Sequence, residues 1–169
     1  LAVQTSPFTV SAQNIADAQS YGIETSLQAA LEDEQQQGAT LTLNYTYQRA
    51  TNETPSSFVH GKQLIYTPEH CASGILALKR SISPNIRLNA GLTAQFAGER
   101  FYLPSNTPES ILPAFGIVGA FVEVAFMIGS TQATARLQGD NLFDERYAVI
   151  RNFPMPGRSV RASLRVVLQ

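Results

Sequence analysis

The chain has 169 residues, a formal net charge of -1 and a charged fraction of only 15%, where globular domains usually carry about 25%. No run of Lys or Arg stands out, which excludes nucleic-acid binding through phosphate contacts, and no apolar run approaches the roughly 20 residues of a membrane-spanning helix. Uncharged Ser, Thr, Gln and Asn replace the missing charge, a composition typical of strands with one face to lipid and one to a polar lumen.

Period-two alternation of apolar and polar residues is the dominant signal along the chain. The predicted strands, in chain order, are residues 1–13, 21–32, 41–48, 70–80, 86–96, 115–127, 131–140 and 160–168. The first is the weakest because Pro7 cannot donate to a ladder. Several are longer than the roughly 5–6 residues of soluble strands and match the ~9–11 that cross a bilayer at a tilt. The pattern predicts an all-β, antiparallel, up-and-down transmembrane β-barrel wall of about eight strands.

The connections between these strands alternate in length. Short turns are predicted at residues 33–38, 81–84 and 128–130, and longer links at 14–20, 51–69, 103–114 and 144–157. In an antiparallel barrel, alternate connections lie on opposite sides of the membrane, and bacterial barrels keep the short turns in the periplasm. If the last strand ends in the periplasm, all the long links are extracellular.

The alternation also assigns the two faces. The set expected to face lipid is Ile23, Leu27, Leu31, Leu41, Leu43, Leu88, Leu92, Leu164 and Val166. The set expected to line the interior is Glu24, Gln28, Thr42, Asn44, Gln48, Arg87, Gln95, Arg136, Arg161 and Arg165. Arginines that recur on one face predict a wide, hydrated lumen, since an apolar cavity would not accommodate them unpaired.

The motif that is most specific lies near the C-terminus. It reads Gly139-Asp140-Asn141-Leu142-Phe143-Asp144-Glu145-Arg146-Tyr147, followed by Phe153-Pro154-Met155-Pro156-Gly157-Arg158. This resembles the C-terminal signature of TonB-dependent receptors, in which the penultimate strand ends in Asn-Leu-Phe-Asp…Tyr and the last begins after Pro-Gly-Arg. The stretch from Asn14 to Glu24 and the strand entry Pro68-Glu69-His70 are also similar to patterns of this family.

The resemblance implies that residues 1–169 are the C-terminal part of a receptor β-barrel of about twenty-two strands. It implies an outer-membrane location, contact with membrane lipid, and uptake of a metal chelate such as an iron–siderophore, or of cobalamin. TonB would be engaged by an N-terminal segment that, like the plug domain, is absent here. No cofactor is implied. The chain opens at Leu1 inside a predicted strand, which indicates a truncated or processed start, and it closes on Leu168-Gln169, where family members usually have an aromatic residue.

The motif residues are interpreted as structural. Asn141 and Asp144 can form side-chain turns that end a strand, Leu142 and Phe143 would pack at the membrane boundary, and Tyr147 suits an aromatic girdle. Pro156, Gly157 and Arg158 would reset the chain for the last strand.

Four residues on the extracellular side are candidates for substrate contact, because cationic and aromatic groups together can capture a chelate. They are Arg100, Tyr102, Arg151 and Phe153. The alternative places Phe101 and Tyr102 in the outer aromatic girdle. The two histidines, His60 and His70, fit no metal-ligand spacing, and no serine lies in a recognisable nucleophile context, so neither a metal site nor an enzyme is predicted.

Two other readings stay open from the residues alone. A complete eight-stranded outer-membrane barrel with an adhesion or structural role fits the strand count. A soluble lipocalin-like carrier would reverse the two faces, with an apolar inside and a polar outside.

Overall fold

The computed structural model describes residues 2–6, 9–12, 17–35, 37–129 and 131–167. In chain order its strands are β1 (Ala2–Ser6), β2 (Thr9–Ala12), β3 (Ala18–Glu32), β4 (Gly38–Asn52), β5 (His70–Ser83), β6 (Ile86–Ala97), β7 (Arg100–Phe101), β8 (Ile111–Leu112), β9 (Phe115–Ile128), β10 (Thr131–Asp140), β11 (Ala148–Ile150), β12 (Phe153–Pro154) and β13 (Ser159–Val167). One 3-10 turn, Pro108–Ser110, precedes β8. In the described part of the chain no helix is long and apolar enough to cross a membrane.

Seven long strands form one antiparallel sheet in the order β13-β10-β9-β6-β5-β4-β3. Each long strand pairs with the next long strand along the chain, so the predicted up-and-down topology is confirmed. The sheet does not close on itself in the described residues, because β3 and β13 each have only one neighbour. The chain therefore forms a section of barrel wall.

The prediction of one strand over residues 1–13 is wrong, because the structure has the two short strands β1 and β2 in this range. β1 and β2 pair with each other as a separate two-stranded sheet, and within the described residues the main sheet has seven strands. The two residues between these strands, Pro7 among them, lie outside the described residues. Leu168, the last residue of the predicted final strand, also lies outside them.

The alternation of short and long connections is confirmed. The short ones span residues 33–37, 84–85 and 129–130, and the long ones span 53–69, 98–114 and 141–158. The link predicted at 14–20 ends earlier than expected, because β3 begins at Ala18. We call the two borders of the sheet the short-turn end and the long-connection end.

The register keeps the two predicted faces separate across all seven strands. One row of directly paired residues on the apolar face runs Leu41, Leu76, Leu92 and Ala120. A row on the polar face runs Ser26, Asn44, Ser73 and Gln95. Every residue of the predicted lipid-facing set lies on the first face, and every residue of the predicted interior set lies on the second. A slip of one residue in any pair would have mixed them.

Large side chains of the apolar face are exposed in the part of the chain that the structure describes. Leu31 and Leu164 are 83% and 66% exposed, although burial of such side chains is what normally stabilises a fold. A membrane supplies the missing apolar partner, since the face is the one that an outer-membrane barrel turns toward lipid.

Phe121, which breaks the alternation of its strand, lies on the polar face. It pairs with Gly91 across the ladder, where a Cβ would stand 2.8 Å from the Phe121 ring. The guanidinium of Arg136 lies 4.2 Å from the centre of the same ring. The aromatic ring is thus accommodated by a missing side chain beneath it and a cation above it.

Candidate functional site

The polar face carries ion pairs between side chains of different strands, β3 with β5 and β9 with β10. Lys79 Nζ lies 3.2 Å from Glu32 Oε1, and Arg136 Nη1 lies 3.3 Å from Glu123 Oε2. Both pairs are partly exposed, so their contribution to stability is small. Lys79 and Glu123, one residue from each pair, line a polar depression of about 320 Å³ next to the short turns, together with Asn89. The arrangement is that of a hydrated lumen wall.

Arg100 lies at the long-connection end and is almost fully buried, with 2% exposure. Its guanidinium donates hydrogen bonds to the carbonyl oxygens of Gly98 at 3.2 Å and Pro113 at 3.4 Å, and to that of Ala148. It also lies 5.2 Å from the ring centre of Phe115. One side chain therefore joins connection 98–114 to connection 141–158.

This position changes the interpretation of Arg100 as a substrate contact. Burial lowers the pKa of its guanidinium below the ordinary value, while the nearby Cys71 thiol acts in the opposite direction. A buried cation needs its hydrogen bonds satisfied internally, and here three backbone carbonyls do so. Arg100 holds the two long connections together and presents little surface to a ligand.

The structure brings two of the other candidates together. The guanidinium of Arg151 lies 4.1 Å from the ring centre of Tyr102, and the Tyr102 hydroxyl donates a hydrogen bond to the Glu109 carbonyl at 3.0 Å. Arg151 is exposed and Tyr102 is half-buried. A cation held over an aromatic ring at the surface can receive an anionic aromatic ligand.

Phe153 lies beside this pair in the chain but faces a separate groove. Its side chain is 67% exposed and lines a cleft of about 390 Å³ with Tyr147, Pro113 and Pro154. Tyr147 in turn packs on Phe115, with ring centres 4.2 Å apart. The four candidates thus occupy three settings: Arg100 inside, Tyr102 with Arg151 on the surface, and Phe153 in the cleft.

The C-terminal motif forms a hydrogen-bonded clasp around Asn141. Asn141 is 4% exposed and has a φ of 51°, which asparagine tolerates better than most residues. Its amide group donates to the carbonyls of Glu145 at 2.9 Å and Pro156 at 3.3 Å, and its Oδ1 accepts from the Glu145 N–H at 2.9 Å. The end of β10 is thereby fixed to the approach of β13.

Asp144 completes the clasp. Its Oδ1 accepts a hydrogen bond from the backbone N–H of Arg158 at 2.9 Å. A Cβ on Gly157 would stand 2.5 Å from the same oxygen, so glycine leaves room for the carboxylate. Leu142 is half-buried, and its N–H donates to the Val118 carbonyl at 2.8 Å, whereas Phe143 is 80% exposed.

An aromatic cluster at the long-connection end of the apolar face is not among the features predicted from the sequence. His70 Nδ1 lies 2.8 Å from the Tyr45 hydroxyl, and the His70 ring packs against Tyr47 at 5.3 Å between centres. All three residues share the parity of the lipid-facing set. Aromatic residues near strand ends, at positions that alternate in step with the lipid-facing residues, are the sequence pattern from which the cluster could have been predicted.

The described ranges contain no group of three or more His, Cys, Asp and Glu side chains placed to hold a metal ion. His60 approaches one carboxylate, Glu53, at 3.8 Å between side-chain atoms.

Comparison of the sequence with family profiles gives one match. A profile described as TonB dependent receptor-like, beta-barrel matches residues 1–142. The match ends inside the C-terminal motif and covers most of the chain. No curated protein sequence matches the chain.

Three solved structures share the arrangement of strands. The ferric preacinetobactin receptor BauA of Acinetobacter baumannii aligns over 88% of this chain with a TM-score of 0.77 and 14% identity. The ferric yersiniabactin uptake receptor FyuA of Yersinia pestis gives 88%, 0.61 and 16%, and the ferric-catecholate import receptor Fiu of Escherichia coli K12 gives 96%, 0.62 and 19%. This chain spans only 22% of the length of each of them.

Proposed function

The chain belongs to the TonB-dependent receptor β-barrel family, whose members lie in the Gram-negative outer membrane, and from that premise we propose that it is the C-terminal wall section of a nutrient importer. The remainder of the receptor would supply the other strands, a plug domain and the segment that contacts TonB. The long connections would face outside and the short turns would face the periplasm, as bacterial barrels arrange them.

We infer that the imported nutrient is a ferric chelate rather than cobalamin. The three structural relatives named above are receptors or importers of ferric chelates by their descriptions. Within this chain, the observation that supports the proposal is the surface pair of Tyr102 and Arg151. The Arg151 guanidinium lies 4.1 Å from the centre of the Tyr102 ring. A ring and a cation side by side suit an anionic chelate with aromatic groups.

Binding by the full-length receptor in detergent tests this proposal. Ferric complexes of a catecholate and of a phenolate chelator would be titrated against the wild-type receptor and against Arg151→Gln, with Arg87→Gln on the polar wall as the matched control. We expect Arg151→Gln to weaken binding about fivefold to tenfold, as removal of one exposed charge-assisted contact would. The control should bind as the wild type does.

Uptake in cells tests the energy source. Cells that express the receptor should accumulate the ferric chelate, and inactivation of TonB should abolish the accumulation. Binding of cobalamin but of no ferric chelate would overturn the nutrient class, and uptake that persists without TonB would overturn the mechanism of import.

A further inference from the structure

The apolar face carries two arginines, one near each of its ends. Arg49 pairs directly with Tyr21 on the apolar side of β4, and Arg80 pairs with Leu88 on the apolar side of β5. Among the described positions of this face, no other Arg or Lys and no Asp or Glu occurs. Both side chains are exposed.

Cations are costly inside hydrocarbon and stable at its borders. An Arg at the bilayer midplane of a barrel costs about 2–4 kcal/mol, whereas near the interface the cost falls to about 0–1 kcal/mol. The placement of the two arginines therefore indicates where the borders are. Arg49 lies toward the long-connection end, beyond Tyr47, and Arg80 lies toward the short-turn end.

The distance between them agrees with the thickness of a bilayer. Lys79 pairs with Gly38 on β4. The strands are antiparallel, so Arg80 lies level with Gln37, about twelve residues along β4 from Arg49. At about 3.3 Å per residue and a tilt of about 40°, this corresponds to a height of about 30 Å. The hydrocarbon core of a membrane is also about 30 Å thick.

We propose that Arg49 and Arg80 bind the phosphates of lipid headgroups, one in each leaflet, and so set the height of this wall section in the membrane. The planar guanidinium can donate two parallel hydrogen bonds to a phosphate, while the methylene stem lies along the apolar face. The acyl chains of the same lipid would cover the leucines between the two arginines.

The surroundings of Arg49 fit a headgroup better than an acyl chain. Tyr21 lies directly opposite Arg49, and Tyr47, two residues along the strand, pairs with His70. Tyrosine rings with wet hydroxyls are typical of the interface level. Charge complementarity then selects an anionic lipid surface as the partner of this border.

Native mass spectrometry of the full-length receptor tests the proposal. The receptor would be exchanged into detergent and titrated with phosphatidylglycerol or, as a zwitterionic comparison, phosphatidylcholine. Arg49→Gln and Arg80→Gln should each weaken retention of phosphatidylglycerol about fivefold at one site, the effect of one basic residue at an anionic membrane surface. Phosphatidylcholine retention should change less than twofold.

Three further arms make the result decisive. Arg87→Gln removes an exposed arginine from the polar face and should retain lipid as the wild type does. Arg49→Lys and Arg80→Lys keep the positive charge and should keep most of the affinity for lipid, even if a Gln variant inserts poorly into the membrane. Inorganic phosphate should fail to displace the lipid, because the acyl chains contribute to binding. Unchanged retention in the double Gln variant, equal loss in Arg87→Gln, or displacement by phosphate would each overturn the proposal, whatever the receptor imports.

Discussion

The strand wall and the long-connection end are stabilised in different ways. In the wall, nine successive residue pairs join β10 to β13 and fifteen join β3 to β4. Because so many backbone pairs hold each strand, a single side chain affects stability chiefly through whether it is apolar or polar. At the long-connection end, single buried side chains, Arg100 and Asn141, bind backbone carbonyls from distant segments. The wall should therefore tolerate changes of identity within one face, whereas the loop end should depend on individual residues.

Removal of Arg100 should produce the largest effect. Arg100→Met keeps the apolar stem but leaves the carbonyls of Gly98, Pro113 and Ala148 without their donor. Hydrogen bonds to charged groups contribute about 1.5–3 kcal/mol each, so we expect the two connections to separate at a cost of about 4 kcal/mol. Limited proteolysis of the folded full-length receptor, with the cut sites identified by mass spectrometry, measures the opening.

The matched control for this experiment is Arg87→Met, which removes an exposed arginine from the wall. It should leave the cleavage rate within connections 98–114 and 141–158 unchanged. If Arg100→Met were cleaved no faster than Arg87→Met, the long-connection end would not depend on a single buried side chain more than the strand wall does.

Polarity at neighbouring wall positions should produce the next largest effect. Leu92 lies on the apolar face and Thr93 on the polar face of β6. Leu92→Arg should destabilise the barrel by about 3 kcal/mol, since it exposes a charge to hydrocarbon, whereas Thr93→Arg should cost less than about 1 kcal/mol. Denaturant unfolding in vesicles compares the two, and equal losses would contradict the assignment of faces.

Truncation of Asn141 should cost about 2 kcal/mol. Asn141→Ala leaves buried partners at Glu145 and Pro156 unsatisfied, and each such group costs about 1–3 kcal/mol. Asn152→Ala is the control, because Asn152 also has a positive φ, 66°, but is exposed. The melting temperature of the folded receptor should fall further for Asn141→Ala than for Asn152→Ala. An equal fall would mean that Asn141 contributes only its tolerance of a positive φ and not its hydrogen bonds.

The sequence determines the wall more completely than it determines the loop end. Alternation at Leu41, Leu76 and Leu92 is a local pattern, and a register that keeps apolar residues together follows from it. The role of Phe121 could not be derived, because it depends on Gly91 being its ladder partner. The sequence predicts one strand over residues 1–13, whereas the structure has two short strands there that pair with each other.

The candidate site was less predictable for a physical reason. Arg100 is held by carbonyl oxygens at positions 98, 113 and 148, and a carbonyl acceptor has no signature in a sequence. Residue type alone makes Tyr102 and Arg151 candidates for substrate contact, but only the fold shows that they form one pair. The clasp at Asn141 and Asp144 was more accessible, because these residues favour turns at known positions.

The assignment of one face to lipid and the other to water is the central claim, and spin labels test it most directly. Labels would be placed one at a time at Leu43 and Leu92 and at the adjacent Asn44 and Thr93 in the membrane-inserted full-length receptor, and their collisions with oxygen and with a water-soluble nickel chelate would be recorded. Labels at the two leucine positions should collide with oxygen, and labels at the two polar positions should collide with the nickel chelate. Leucine labels that collide with nickel, or polar-position labels that contact lipid, would contradict it.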